Sequence, residues 1–331
     1  MPEINIDHNW KQLLTTSLRE SKALAQFLNH PSFSPRHLQT SYPIMIPLSL
    51  AEKIKSAGPS SALWKQFVPE LSENKSEGFI DPIGDKIHQK TSSLIHRYKN
   101  RLLILPTTHC PVICRYCFRK NELYDQSFRF KMDDNLAYLK DHPEVNEVVF
   151  TGGDPMIADD TKWQEWLQAL SLFPQVKYVR IHTRMLSIIP ERFTAAFVAM
   201  MQTFKPHFKK ITLVLHVNHA SEWELKHFKT CEMLSQSGIF QLLSQSVLLK
   251  GVNDCTEDLC ALFTMLADHH ITPYYLHHPD RAKGTDHFQM DLSEGLHLYR
   301  QLQHQLPGWM IPKYIYDSSD GSGKKIIGTL L

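Results

Sequence analysis

From Arg101 onward, short uninterrupted apolar runs return at nearly even intervals, and this recurrence limits the fold of the 331-residue chain more than any other feature. The runs fall at 101–106, 147–151, 178–182, 211–216, 240–248 and 272–276, each followed by a stretch of helical periodicity. After the first interval the spacing is about 30 residues, the length of one strand–helix unit. Runs that are continuous rather than alternating fit parallel strands covered on both faces. The expectation is an α/β protein built as a partial parallel (β/α)6 barrel, with a flat doubly wound sheet as the alternative. A last run at 310–316 is expected to add a strand beside the barrel.

Upstream, Trp10, Leu13, Leu14, Leu18, Leu24 and Phe27 recur at roughly helical spacing, which predicts one amphipathic helix over 8–30 with Asp7 as its cap. The proline-marked stretch 42–47 reads as extended. Short helices are expected at 49–57 and 61–68. The polar segment 69–92, which contains Asp81-Pro82-Ile83-Gly84-Asp85, reads as loop. No clean linker interrupts the chain. Residues 1–95 are therefore expected to form a mostly helical extension packed on a barrel of 96–300, with 301–331 supplying a C-terminal strand and a glycine-containing loop.

Composition narrows the class of function. A formal charge of +2 gives no footprint for nucleic acid. There is no apolar run of about 18 residues, so no membrane span is expected. The polar N-terminus lacks a signal-peptide core. Six cysteines without paired spacing suit a reducing cytoplasm.

Parallel barrels place their chemistry at the C-terminal ends of the strands. Polar residues gather there in this chain: cysteines after the first run, Gly152-Gly153-Asp154 after the second, Arg184 after the third. His216, Asn218 and His219 follow the fourth, Gln245 and Ser246 lie in the fifth, and Asp280 follows the sixth. Cys110, Cys114 and Cys117 form a C-x3-C-x2-C cluster, tight enough to wrap one face of a [4Fe-4S] cubane and leave one iron without a protein ligand. Zinc competes, but a structural zinc site wants a second ligand pair, and Cys231, Cys255 and Cys260 lie far downstream. Incidental cysteines are the third reading.

Three other patterns carry weaker signals. Gly152-Gly153 lets backbone approach a ligand closely, or is an ordinary turn. Arg97 and Arg101 in R-Y-x-x-R suit a phosphate, or form a solvated basic face. Lys324, in Asp317-Ser-Ser-Asp-Gly-Ser-Gly-Lys324, can form an imine with an aldehyde such as pyridoxal phosphate (PLP), or is an exposed tail lysine, with Lys325 a rival.

The cysteine motif, with Tyr116 before its last cysteine, resembles the signature of the radical S-adenosylmethionine (SAM) superfamily. The ordered set R-Y-x-x-R, C-x3-C-x2-C-x-R, GGD, Gln245 to Asp254, Pro273-Tyr274-Tyr275, Asp280 with His287-Phe288, and Asp317 with Lys324 resembles the lysine 2,3-aminomutase family over roughly 90–325. That resemblance implies an isomerase that converts L-lysine to β-lysine with a [4Fe-4S] cluster, SAM and PLP. It implies that Cys110, Cys114 and Cys117 ligate the cluster, and that Tyr116, Gly152, Gly153, Asp154 and His216 attend SAM. It implies that Lys324 holds PLP, with Tyr98 against the ring, Arg97, Arg101 and Arg184 around its phosphate or ring oxygen, and Gln245 nearby. Arg119 would take the substrate carboxylate, and Asp280 and Asp317 its ε-ammonium. An electron donor such as flavodoxin or ferredoxin is implied as well. Phe118-Arg119-Lys120, Arg180-Ile-His-Thr-Arg184 and the short tail after Lys324 resemble the elongation factor P (R)-β-lysylation branch. That branch implies a functional link to elongation factor P and its lysyl-transferring enzyme. Two alternatives remain at this stage: an aminomutase acting on another amino acid such as glutamate, and a zinc-binding interaction module.

Overall fold

The computed structural model describes residues 9–30, 34–74, 77–123, 126 and 128–327. Among these residues ten strands form one open sheet whose spatial order follows the chain. They are β1 (Gln89–Thr91), β2 (Leu94–Tyr98), β3 (Arg101–Thr107), β4 (Glu147–Gly152), β5 (Tyr178–Thr183), β6 (Lys210–His216), β7 (Phe240–Val247), β8 (Thr272–His277), β9 (Lys313–Ser318) and β10 (Gly323–Ile326). From β3 to β9 each strand pairs in parallel with the next, and β1, β2 and β10 add antiparallel borders. The sheet is therefore a partial barrel, its six expected strands present and extended at both edges. Strand β9 is the added strand anticipated from the run at 310–316.

The apolar runs fold as they do because both faces of the strands are covered. Ile211, Leu213, Val214 and Leu215 are all buried, so β6 shows no polar face. Outer helices start at identifiable caps. Asp159 accepts from the Lys162 N–H at 3.0 Å to open the helix Asp160–Ser171, and Thr194 accepts from Phe197 N–H at 3.0 Å to open Ala195–Gln202. Helix and sheet meet in aromatic packing, with the Phe150 ring 5.0 Å from Trp163 and 5.7 Å from Trp166.

The N-terminal region differs from expectation. The helix anticipated over 8–30 is two helices, Asn9–Thr15 and Ser21–Leu28. Thr15 and Thr16 hydroxyls bond back to the Gln12 carbonyl and Ser17 to that of Leu14, ending the first helix. Leu18 then exchanges two backbone hydrogen bonds with Ile46, of 2.8 and 3.0 Å. The proposed Asp7 cap lies outside the described residues. Helices Leu48–Ala57 and Ala62–Phe67 match the short helices expected at 49–57 and 61–68. The 69–92 segment is mostly loop and single turns but ends in β1. Trp10, Leu24, Leu28, Ile46, Trp64 and Phe67 share one core with the barrel strands.

Candidate active site

A cavity of about 270 Å³ opens at the C-terminal ends of the parallel strands, and Cys110, Cys114, Cys117 and Lys324 all line it. So do Arg97, Tyr98, Arg101, Tyr116, Arg119, Gly152, Gly153, Asp154, Arg184, His216, Gln245, Asp280 and Asp317. Every residue singled out for cofactor or substrate contact reaches this one space. His219 does not; it faces Asp258, 3.3 Å away. Asn218 and Ser246 are buried braces, Asn218 accepting from Val247 N–H at 2.8 Å and Ser246 donating to the Val217 carbonyl.

The cysteine loop follows β3 and is held from below by a buried ion-pair cluster. Glu73 accepts from Arg115 Nε at 2.8 Å and Nη2 at 2.5 Å, and from Lys120 Nζ at 3.0 Å. Burial alone would raise the Glu73 carboxyl, but bonds and charge from Arg115 and Lys120 bring it below its usual value. Lys120 also donates to the carbonyls of Arg115 and Gly284. The three thiols sit above this base. Burial raises all of them, Cys117 to about 11; Asp154 adds to the rise at Cys110 and Cys114, while Arg184 opposes it at Cys114 and Arg119 and Lys120 oppose it at Cys117. Three buried thiols shed their protons together most readily onto a cationic group, and the core of an iron–sulfur cluster is such a group. Among the described residues, no three His, Cys, Asp or Glu side chains converge on a single ion's position.

Beside the thiols, Gly152 has φ +102°, and a Cβ on Gly153 would collide with the His109 carbonyl oxygen, so both positions require glycine. The Asp154 carboxylate is engaged by protein donors. Oδ1 accepts from Met156 N–H at 3.0 Å and the Thr183 hydroxyl at 2.8 Å, and Oδ2 accepts from Arg184 N–H at 2.7 Å. Tyr116 and His216 are joined by a 2.9 Å hydrogen bond with nearly parallel rings. Burial, then the Arg184 charge, keeps His216 neutral. The Arg184 guanidinium pairs with Glu222 at 3.0 Å and Gln66 at 3.1 Å, beside Tyr116 and away from solvent.

At the other end, Arg97 and Tyr98 close β2 and Arg101 opens β3, so the R-Y-x-x-R pattern spans a hairpin. The Arg101 guanidinium stacks 3.9 Å from the Tyr98 ring centre. No side-chain ion pair or hydrogen bond of Arg101 occurs among the described residues, which leaves its donors available to an anion. Arg97 is differently placed, donating to the Ile83 carbonyl at 2.8 Å, Asp85 at 2.6 Å and Asp317 at 3.5 Å. Lys324 Nζ donates to the second oxygen of Asp317 and lies 5.7 Å from the Tyr275 ring. Gln245 stands in register between His216 of β6 and Tyr275 of β8. Burial, then the Asp317 charge, raises Asp280 to about 7. A lysine amine, a stacked tyrosine and an uncommitted guanidinium fit the aldehyde, ring and phosphate of PLP.

An L-lysine 2,3-aminomutase of Haemophilus influenzae is 33% identical over 322 residues, covering 94% of this chain and 93% of its own. The chain belongs to the L-lysine 2,3-aminomutase family. The L-lysine 2,3-aminomutase of Escherichia coli is 32% identical over 92% of this chain and 90% of that one. A radical SAM methyltransferase from Sphaerobacter thermophilus, 12% identical, superimposes with a TM-score of 0.50 over 70% of this chain and 71% of its own, a likeness of fold. No family model matches the chain. As a lysine 2,3-aminomutase family member the protein is an isomerase, on a scaffold that shares its fold with that methyltransferase. No described helix is long and apolar enough to cross a membrane.

Several aminomutase cavity residues escape sequence reasoning. Asp85 accepts from both Arg97 and Arg119 from within a segment that reads as plain loop. His182 and His277 line the cavity on β5 and β8, and burial holds both far below their usual basicity. Only the RIHTR resemblance touches His182. Glu73, beneath the cavity, carries no sequence signal, because its cationic partners lie more than 40 positions downstream.

Proposed function

We propose that the protein is a SAM- and PLP-dependent lysine 2,3-aminomutase converting L-α-lysine to β-lysine. The observation that carries this reading is the single cavity shared by the three thiols, Lys324, Arg119 and the acidic pair Asp280 and Asp317. When bound, the groups would supply one-electron cleavage of SAM at the cluster and a pyridine ring able to spread an unpaired electron.

The chain's own residues supply position and charge. Cys110, Cys114 and Cys117 hold the cluster, with the glycine backbone of 152–153, Tyr116 and His216 forming the SAM wall. Asp154 serves that wall by fixing the ends of β4 and β5. Lys324 would anchor PLP, with Tyr98 available to its ring, Arg101 to its phosphate and Gln245 nearby. Arg97 supports this end through its carboxylate partners, and Arg184 orders the SAM wall through Glu222. Arg119 binds the substrate carboxylate. Asp317 is paired with the Lys324 ammonium; with that amine committed to PLP, its carboxylate would be open to the substrate's ε-ammonium. Asp280, next to it, becomes an anion most readily when that cation arrives. Buried strand ends keep water from reactive intermediates.

Lysine is favoured over glutamate because a second carboxylate would meet Asp280 and Asp317. The product is proposed to be (R)-β-lysine for modification of elongation factor P, supported by Phe118-Arg119-Lys120 and Arg180-Ile-His-Thr-Arg184. A zinc-binding module leaves the strand-end cluster of Lys324, Tyr98 and Arg101 unexplained. The test is anaerobic turnover of L-lysine by reconstituted protein with chiral separation of the product, with and without SAM. SAM-dependent β-lysine supports the reading; no product from lysine, or product from glutamate instead, defeats it.

A further inference from the structure

Five charged side chains form an unbroken alternating chain across the cavity: Arg119, Asp85, Arg97, Asp317 and Lys324. Asp85 is its centre of gravity on the substrate side. One oxygen accepts from Arg97 Nη2 at 2.6 Å and the other from Arg119 Nη2, and the residue is buried. A carboxylate shared by two guanidiniums fixes both forks, since each bond is charge-assisted and directional.

The loop that presents Asp85 is built to hold it still. The Asp81 carboxylate accepts from the backbone N–H of Asp85 and of Lys86, each at 2.9 Å. Gly84 has φ +68°, and a Cβ there would meet Gly321 Cα at 2.8 Å, so this loop lies directly on the turn leading to Lys324. The His88 ring bonds to the Gly321 carbonyl at 2.8 Å. Phe79 adds a short parallel bridge to Ala282, two residues from Asp280. Asp85 is therefore clamped between the two segments that carry the acidic pair and the anchoring lysine.

We infer that Asp85 is a positioning residue for the substrate carboxylate: by holding one edge of the Arg119 guanidinium, it turns the remaining donors toward the cavity. The inference rests on the aminomutase reading. Arg119 Nη2 is taken by Asp85 and Nη1 reaches Glu122 only at 3.5 Å, so the fork keeps capacity for a second carboxylate. Without Asp85, Arg97 and Arg119 would face each other as like charges and separate. Binding at the ammonium end would change less, because Asp280 and Asp317 keep their own carboxylates and Asp85 reaches them only through Arg97 and as one of several charges felt by Asp280.

The experiment compares L-lysine with 1,5-diaminopentane, which has both amines and no carboxylate. Calorimetric binding is measured on reconstituted, unreduced protein, where no turnover occurs, for wild type, Asp85→Asn and Asp85→Glu. Asp85→Asn is expected to weaken lysine binding about tenfold or more while changing diamine binding less than about twofold, and to raise the lysine KM more than it lowers kcat. Asp85→Glu, which keeps the charge, is expected to recover lysine affinity to within about threefold, and it serves alone should the asparagine variant not fold. Equal weakening of both ligands in the folded variants would make Asp85 merely structural and overturn the proposal. Tighter lysine binding in Asp85→Asn would make it a competing anion and overturn it too. Wild-type protein that fails to convert lysine sinks the aminomutase reading, whereas conversion with an unaffected Asp85→Asn sinks only this inference.

Discussion

Lys324 donates its backbone N–H to the hydroxyl of Tyr98, 2.8 Å away and 226 positions earlier in the chain. The bond ties β10 to the hairpin between β2 and β3, and it sets which lysine enters the cavity. Side chains alternate along a strand, so Lys325 lies on the other face, 5.9 Å from the Tyr316 ring. Lys324→Ala is expected to abolish the visible absorbance of lysine-bound PLP and to reduce turnover by at least about 1,000-fold, a loss of the order seen when an activated nucleophile is removed. Lys325→Ala is expected to keep both. An absorbance scan with PLP decides between them, and a spectrum lost only in the second variant would reverse the assignment.

The cysteine loop makes a separate prediction. Cys114→Ala removes one of three thiols, and two ligands on a mobile cubane do not hold it. Iron and sulfide contents after anaerobic reconstitution are expected to fall to near background, with no measurable β-lysine. Iron content equal to wild type would show that Cys114 is not a ligand.

Asp280 gives stability and lysine affinity opposite dependences on pH. Its folded value is raised to about 7, by burial first and the Asp317 charge second. The folded protein therefore holds a proton that the unfolded chain releases near pH ~4, so this group's contribution to stability falls as pH rises through that window. Lysine affinity runs the other way, because the ε-ammonium needs the anion: it should strengthen as pH passes about 7. Asp280→Asn is expected to flatten the stability profile between pH ~4 and ~7 and to remove the pH-dependent part of lysine binding. Melting curves and calorimetry across that range provide the check.

Below the cavity, Glu73 balances Arg115 and Lys120 out of contact with water. Glu73→Ala leaves two buried cations without a partner, which costs about 3–5 kcal/mol. Chemical denaturation should register that loss, and cluster retention should fall with it because both cations brace the cysteine loop. An unchanged midpoint would mean that the cluster of charges relaxes into solvent.

What the sequence discloses here follows from the range of the interactions involved. The six parallel strands are readable because burial on both faces writes itself as a continuous apolar run within each strand. The thiols, Gly152-Gly153 and Lys324 are readable because their chemistry is local. The split near Leu18 hides behind a helical pattern that the Thr15, Thr16 and Ser17 hydroxyls interrupt, and those three residues were the available signal. Strands β1, β2 and β10 are short, half-exposed borders without periodicity long enough to detect. Asp85 and Glu73 are invisible for a different reason. Each takes its meaning from arginines or a lysine on other elements, and nothing adjacent in the chain marks a carboxylate as the meeting point of two distant cations.

Because strands follow one another across the sheet in the order they are joined, each strand–helix unit can settle against the one before it without waiting for a remote partner. The scaffold can thus accumulate piece by piece. The cavity cannot, since its walls are drawn from the loop before β1, from every parallel turn and from β10. A fragment lacking either border would keep much of its layered core and none of its catalytic capacity, so that architecture is gained gradually and activity in a single final step.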